Sequence, residues 1–80
     1  MSHVPHELAE EFPEHTENLH HLKMNNAHFA KLADDYHVLN RKIHRIETGV
    51  EPVSEIYETQ LRKERMSLKD EIAMIISSNS

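Results

Sequence analysis

Eight histidines stand in this chain of 80 residues: His3, His6, His15, His20, His21, His28, His37 and His44. Together with 14 Asp and Glu they supply the ligand types of a zinc or nickel site that uses no cysteine. Such a site needs three or four ligands converging on one point. On a helix, Glu17/His20, Glu17/His21 and Glu11/His15 would be neighbours, and His3-x-x-His6 lies near the N-terminus. No two histidines stand four apart, however. His21/His28 and His37/His44 are seven apart, too far along a helix axis to share an ion. The histidines are therefore read as solvated, with adventitious surface binding the lesser alternative. No metal or other cofactor is expected. Protonating all eight would take the net charge from −5 to +3 across roughly pH 6.5, but a pH switch requires some of them at an interface.

Other chemistry finds less support. Ser54, Ser67 and Thr48 have no His and Asp placed as a triad by any readable motif, and the single glycine, Gly49, excludes a Gly-rich phosphate loop. Without cysteine there is no thiolate nucleophile and no disulfide. Arg41, Lys42 and Arg45, with Arg62, Lys63, Arg65 and Lys69, form two basic clusters that could meet phosphates. No aromatic platform is interleaved with them, and acids equal bases over residues 18–80, nine of each. The excess negative charge lies in Glu7, Glu10, Glu11, Glu14 and Glu17, the opposite of the balance a nucleic-acid binder needs. Glu58/Arg62 and Lys31/Asp35 have the spacing of ordinary helix-surface pairs.

The elements that would position these residues are helical. Phe29/Leu32, Tyr36/Leu39 and Ile43/Ile46 recur at a 3-4-3-4-3 spacing, the narrow seam of a helix lying along another helix. Leu19, Leu22 and Asn26 extend it backward more weakly. One Gly and three Pro leave few turns for a many-stranded β fold, and 38% hydrophobic residues cannot build a thick core. The expectation is an all-α fold: an antiparallel two-helix hairpin, with a short N-terminal helix from about Pro5 in an acidic leader over 1–12. One helix is predicted over 14–48, about 50 Å long. A turn over 48–52 follows, with Gly49 in the left-handed cap, then a second helix over 53–76 and a frayed tail. Reflection about the turn sets Leu39 near Leu61, Leu32 near Leu68, Phe29 near Ile72 and Tyr36 near Glu64. The Tyr36 hydroxyl could satisfy that seam carboxylate, or Glu64 could lean out to water. No apolar run approaches the ~20 residues of a membrane span and no secretory signal is visible, so a soluble, cytoplasmic protein is expected.

Several of these pieces, in this order, resemble the YdcH-like family of small bacterial helical-hairpin proteins of unknown function. They are Phe12-Pro13-Glu14, Leu22-Lys23, His28-Phe29, Tyr36-His37-Val38-Leu39, Ile43 and Arg45-Ile46-Glu47. The second half adds Leu61-Arg62-Lys63-Glu64-Arg65 and Leu68-Lys69-Asp70-Glu71-Ile72. The resemblance runs from Phe12 to Ile76 and implies a two-helix fold and a cytoplasmic setting. It implies no reaction, cofactor or catalytic residue. The eleven residues before Phe12 fall outside it.

The predicted second helix covers the first only back to about Asn25. The turns from Glu14 to Met24 then need the leader or another chain as partner. The functional expectation is a non-enzymatic interaction module that self-associates, a dimer favoured, with an unknown protein partner possible. A nucleic-acid accessory role through the basic turn end is the alternative. Candidate interaction residues are Leu8, Phe12, Leu19 and Leu22 on the uncovered part, and Arg41, Lys42 and Arg45 at the turn end.

Overall fold

The structure, a computed structural model, describes residues 6–50 and 52–78. Val4, Pro5, His3 and Glu51 lie outside the described residues, as do Asn79 and Ser80. The described residues form four α-helices and no strand: α1 (Leu8–Glu11), α2 (Thr16–Asn25), α3 (Ala27–Glu47) and α4 (Glu55–Ser78). A 3-10 turn (Pro13–His15) joins α1 to α2. The all-helical class follows from the seam periodicity and the scarcity of glycine.

α3 carries that seam, and α4 packs along it. Ile43 and Ile46 bury against Leu61, with Leu39 and Val53 at the edge. Phe29, Leu32, Ala33 and Tyr36 bury with Ile72 and Ile76, with Leu68 and Ile75 at the edge. Contacts run in opposite directions along the two sequences: Glu47 meets Arg62, Asn40 meets Arg65 and His28 meets Glu71. Gly49 ends α3 at φ +80°, the left-handed conformation predicted for it. Val50 N–H donates to the Arg45 carbonyl and Gly49 N–H to the Ile46 carbonyl, the paired bonds of a Schellman cap.

Two sequence-based expectations require correction and an open one is decided. The single helix over 14–48 is broken at Asn26, whose backbone is extended (φ −132°, ψ 104°). Asn26 closes α2 through its N–H to the Leu22 carbonyl and opens α3 by accepting from Phe29 N–H at 3.0 Å. A side chain that caps an N-terminus competes with the helix interior, and here the cap wins. The longest extent is accordingly 39 Å, not 50 Å. Second, α4 begins at Glu55, two residues after the expected start at 53: Ser54 Oγ accepts from Tyr57 N–H at 3.2 Å and caps it. The helix persists to Ser78, whose hydroxyl donates back to the Met74 carbonyl at 2.9 Å. Third, of the two alternatives for Glu64 the structure has the one in which it leans out to water, and Tyr36 does not serve it. Its hydroxyl donates to the His6 carbonyl at 2.6 Å.

A buried polar link between α3 and α4 is made instead by Asn40, nearly fully buried at 1% exposure, whose Oδ1 accepts from Arg65 at 3.0 Å. It falls between the two apolar clusters along the chain.

Candidate functional site

The end of the α3–α4 pair remote from Gly49 is where the molecule gathers most of its apolar side chains. α4 stops at Ser78, so a straight α2 would stand beyond it without a partner. Because α2 bends away at Asn26, its apolar positions return to the pair. Leu19 and Leu22, seven and four positions before Asn26, join Leu8 of α1 in one cluster with Phe29, Leu32, Tyr36, Ile72 and Ile76. These three leucines are only 7% (Leu8), 5% (Leu19) and 4% (Leu22) exposed. Burying three leucines at roughly 1.5–3 kcal/mol each is the main reason the bend persists. Residues 6–25 thus form a cap on the α3–α4 pair.

Polar contacts fix the cap's position. Besides the Tyr36–His6 bond, the His37 ring meets Glu7 Oε2 at 3.0 Å, and Lys69 Nζ meets Glu11 Oε1 at 3.3 Å. His6 Nδ1 reaches the same Glu11 oxygen at 3.1 Å, and Lys69 Nζ stands 6.0 Å from the Phe12 ring centroid. His6 reaches this arrangement with a left-handed backbone, φ 64°. Burial pushes the Tyr36 phenol up to about 12; the nearby Glu11 and Glu7 carboxylates add to this and Arg65 opposes it. At Glu11, burial acts to raise the carboxyl, but hydrogen bonds from His6 and Lys69 outweigh it and the pKa is lowered. An open groove of about 440 Å³ follows the cap edge, lined by Glu7, Leu8, Lys23, Ala33, Asp34 and His37 among others.

This arrangement redistributes the candidate interaction residues. Leu8, Leu19 and Leu22 are consumed inside the chain, and Phe12 is half-buried at the core's edge. The correction has a simple cause: α2 and the leader fold back in cis, one of the two solutions the helix-length mismatch allowed. At the turn end, Arg41 and Arg45 are exposed. Lys42 donates to the Tyr57 hydroxyl at 2.6 Å and lies 5.2 Å from that ring's centroid. Arg62 holds Glu47 at 2.8 Å and Glu58 at 2.6 Å, and the Glu47 hydrogen bond is the main cause of its raised pKa. The basic clusters are thus largely engaged with neighbouring groups. Among the described residues no three of His, Asp and Glu converge as a metal site, and no helix is long and apolar enough to cross a membrane.

The residues α3 and α4 contribute to this site coincide with a recognised unit. Residues 29–76 match the family described as protein of unknown function DUF465. The chain belongs to that family. No curated protein and no solved structure matches it. The DUF465 match opens at Phe29, the first buried residue of α3, and ends at Ile76, the last of α4. All three cap leucines lie outside it.

Sequence reasoning missed Asn40 and the capping role of Asn26. Asn40 lies four residues after Tyr36 and three before Ile43, on the buried face of α3, but a reading that followed large apolar residues passed over its polar side chain. For Asn26 a signal was present. Asn25-Asn26 pairs two poor helix formers that are favoured as caps, and Asn26, Phe29 and Leu32 follow a three-three spacing that breaks the alternation of threes and fours.

Proposed function

We propose that this protein is a non-enzymatic helix-accepting module. Its α3–α4 hairpin presents an apolar end that receives an amphipathic helix, and residues 6–25 fill that end from within the chain. The observation that carries this reading is the burial of Leu8, Leu19 and Leu22 on Phe29, Leu32, Tyr36, Ile72 and Ile76. The receiving side chains belong to the DUF465 unit, and the inserted ones do not. A surface that needs such a cover is suited to holding a helix from elsewhere. Placement among the YdcH-like small helical hairpins, a cytoplasmic setting and self-association as a dimer belong to the same proposal.

The test uses the full chain with Leu19→Asp and Leu22→Asp, which release α2, and a labelled peptide of residues 6–25 with the natural sequence. The released variant should take up the peptide, seen as a rise in fluorescence anisotropy, and the wild-type chain should not. A released variant that stays helical by circular dichroism yet leaves the peptide free would refute the reading.

A further inference from the structure

We infer that the cap is exchangeable: α2 and α3 straighten at Asn26 into one helix, and two copies then trade their α1–α2 segments as a domain-swapped dimer. The inference rests on the helix-accepting reading and names the second copy of this chain as the partner. A single residue separates α2 from α3, and no Gly or Pro occurs between Thr16 and Glu47. Nothing covalent therefore prevents a continuous helix, about 48 Å long over these positions.

The bend and the straight form are opposed by different forces. At the bend, the last carbonyls of α2 and the first N–H groups of α3 have no partners within their own helices. Straightening lets the N–H groups of Ala27, His28 and Phe29 donate to the carbonyls of Lys23, Met24 and Asn25. It releases the Asn26 side chain from Phe29 N–H, the bond that now specifies the break. Local hydrogen bonding thus favours the rod, apart from one cap.

What holds the bend is the burial of the cap leucines, and that burial does not require them to come from the same chain. In a rod, α2 continues along the α3 axis, so Leu19 and Leu22 leave their own Ile72 and Ile76. A second rod uncovers the same surface and carries the same leucines. The two satisfy each other by an isologous exchange that closes at two copies. The Tyr36–His6, His37–Glu7 and Lys69–Glu11 contacts would re-form between chains.

The Lys69–Glu11 ion pair offers a direct readout, because a zero-length carbodiimide cross-linker joins an amine to a carboxylate in contact. A one-to-one mixture of unlabelled and heavy-nitrogen-labelled full-length protein is concentrated, cross-linked, and its dimer fraction digested for mass spectrometry. Exchange predicts Lys69–Glu11 cross-links joining light and heavy peptides. Asn26→Ala removes the cap that favours the bend, by a factor of about five per chain. Two hinges straighten per dimer, so the association constant measured by sedimentation should rise about 25-fold. Asn26→Asp keeps a capping oxygen and should dimerise like the wild type. A dimer whose Lys69–Glu11 cross-links stay within single chains overturns the exchange, as does an Asn26→Ala chain that dimerises no better than wild type. Either result with peptide capture intact leaves the helix-accepting reading standing. Loss of peptide capture as well removes both.

Discussion

Replacing Tyr36 by Phe tests how the cap is fastened, because the bond it removes has a pH signature of its own. Tyr36 is 1% exposed and its hydroxyl donates to the His6 carbonyl at 2.6 Å. At neutral pH the loss of one such bond should cost about 0.5–1.5 kcal/mol. The phenol's pKa is pushed up to about 12 in the folded chain, against 10.0 for an ordinary tyrosine. Between those values the folded state holds a proton that the unfolded state has released, so stability falls as pH rises. The contribution is fully present below pH ~10 and is lost progressively toward pH ~12. At pH ~11 the loss amounts to about 1.4 kcal/mol, near the worth of the hydrogen bond itself.

The two effects predict a convergence. Urea unfolding followed by circular dichroism should show wild type ahead of Tyr36→Phe by about 1 kcal/mol at pH ~8. By pH ~11 the gap should have closed or reversed, because the phenylalanine has no proton to lose. A gap that stays constant from pH ~8 to ~11 would refute the claim that a buried, neutral Tyr36 hydroxyl fastens the cap.

Further substitutions separate the remaining contributions. Arg65→Ala removes the charged donor to buried Asn40 and should cost about 1.5–3 kcal/mol in urea denaturation, with Arg65→Lys recovering only part. Ile72→Ala, at a site of 0% exposure, should cost about 2–5 kcal/mol and lower the thermal midpoint more than any of the other changes. Glu11→Gln addresses acid behaviour. The lowered Glu11 pKa contributes stability above the unfolded carboxylate value that disappears as pH falls through the folded one, so the variant should lose less stability than wild type on acidification, measured by urea midpoints. Ser54→Ala removes the α4 cap and should cost about 1 kcal/mol by the same assay, with fraying confined to the first turn by amide exchange.

The sequence made the helical class legible because one physical rule, apolar residues returning to one face, governs most of α3. Gly49 was legible for an equally local reason: one residue type suits a left-handed cap. Asn26 and Ser54 show where that locality ends. Both were read within longer helices, because capping potential becomes a helix boundary only if the bend or start also buries something. For Asn26 the decisive terms were Leu8, Leu19 and Leu22 meeting Ile72 and Ile76, partners at least 50 residues away. Reflection about the turn offered Glu64 as one partner for the Tyr36 hydroxyl, with Glu64 leaning out to water as the other reading, and a two-helix reflection holds no place for a third segment. Its acceptor, the His6 carbonyl, came from backbone that no side-chain pattern announces. The candidate leucines were recognised as needing cover, but whether that cover came from this chain or another was a tertiary question.

Asn26 and Asn40 show how one residue type performs opposite tasks on one helix. At position 26 the amide is at the surface of a break, and its oxygen replaces a backbone carbonyl for Phe29 N–H. At position 40 the amide is inside, and its buried oxygen requires a donor, which Arg65 of α4 supplies. That requirement makes Asn40 a register pin. Sliding α4 by one turn would take Arg65 away from a buried acceptor, whereas sliding leucines past isoleucines costs comparatively little. The α3–α4 pair is therefore held in one alignment by a polar contact. The cap is held by apolar burial, which is indifferent to which chain supplies it, together with polar contacts at its edge. A rigid receiver and a transferable insert are what an exchangeable helix requires, and the two asparagines divide those roles between them.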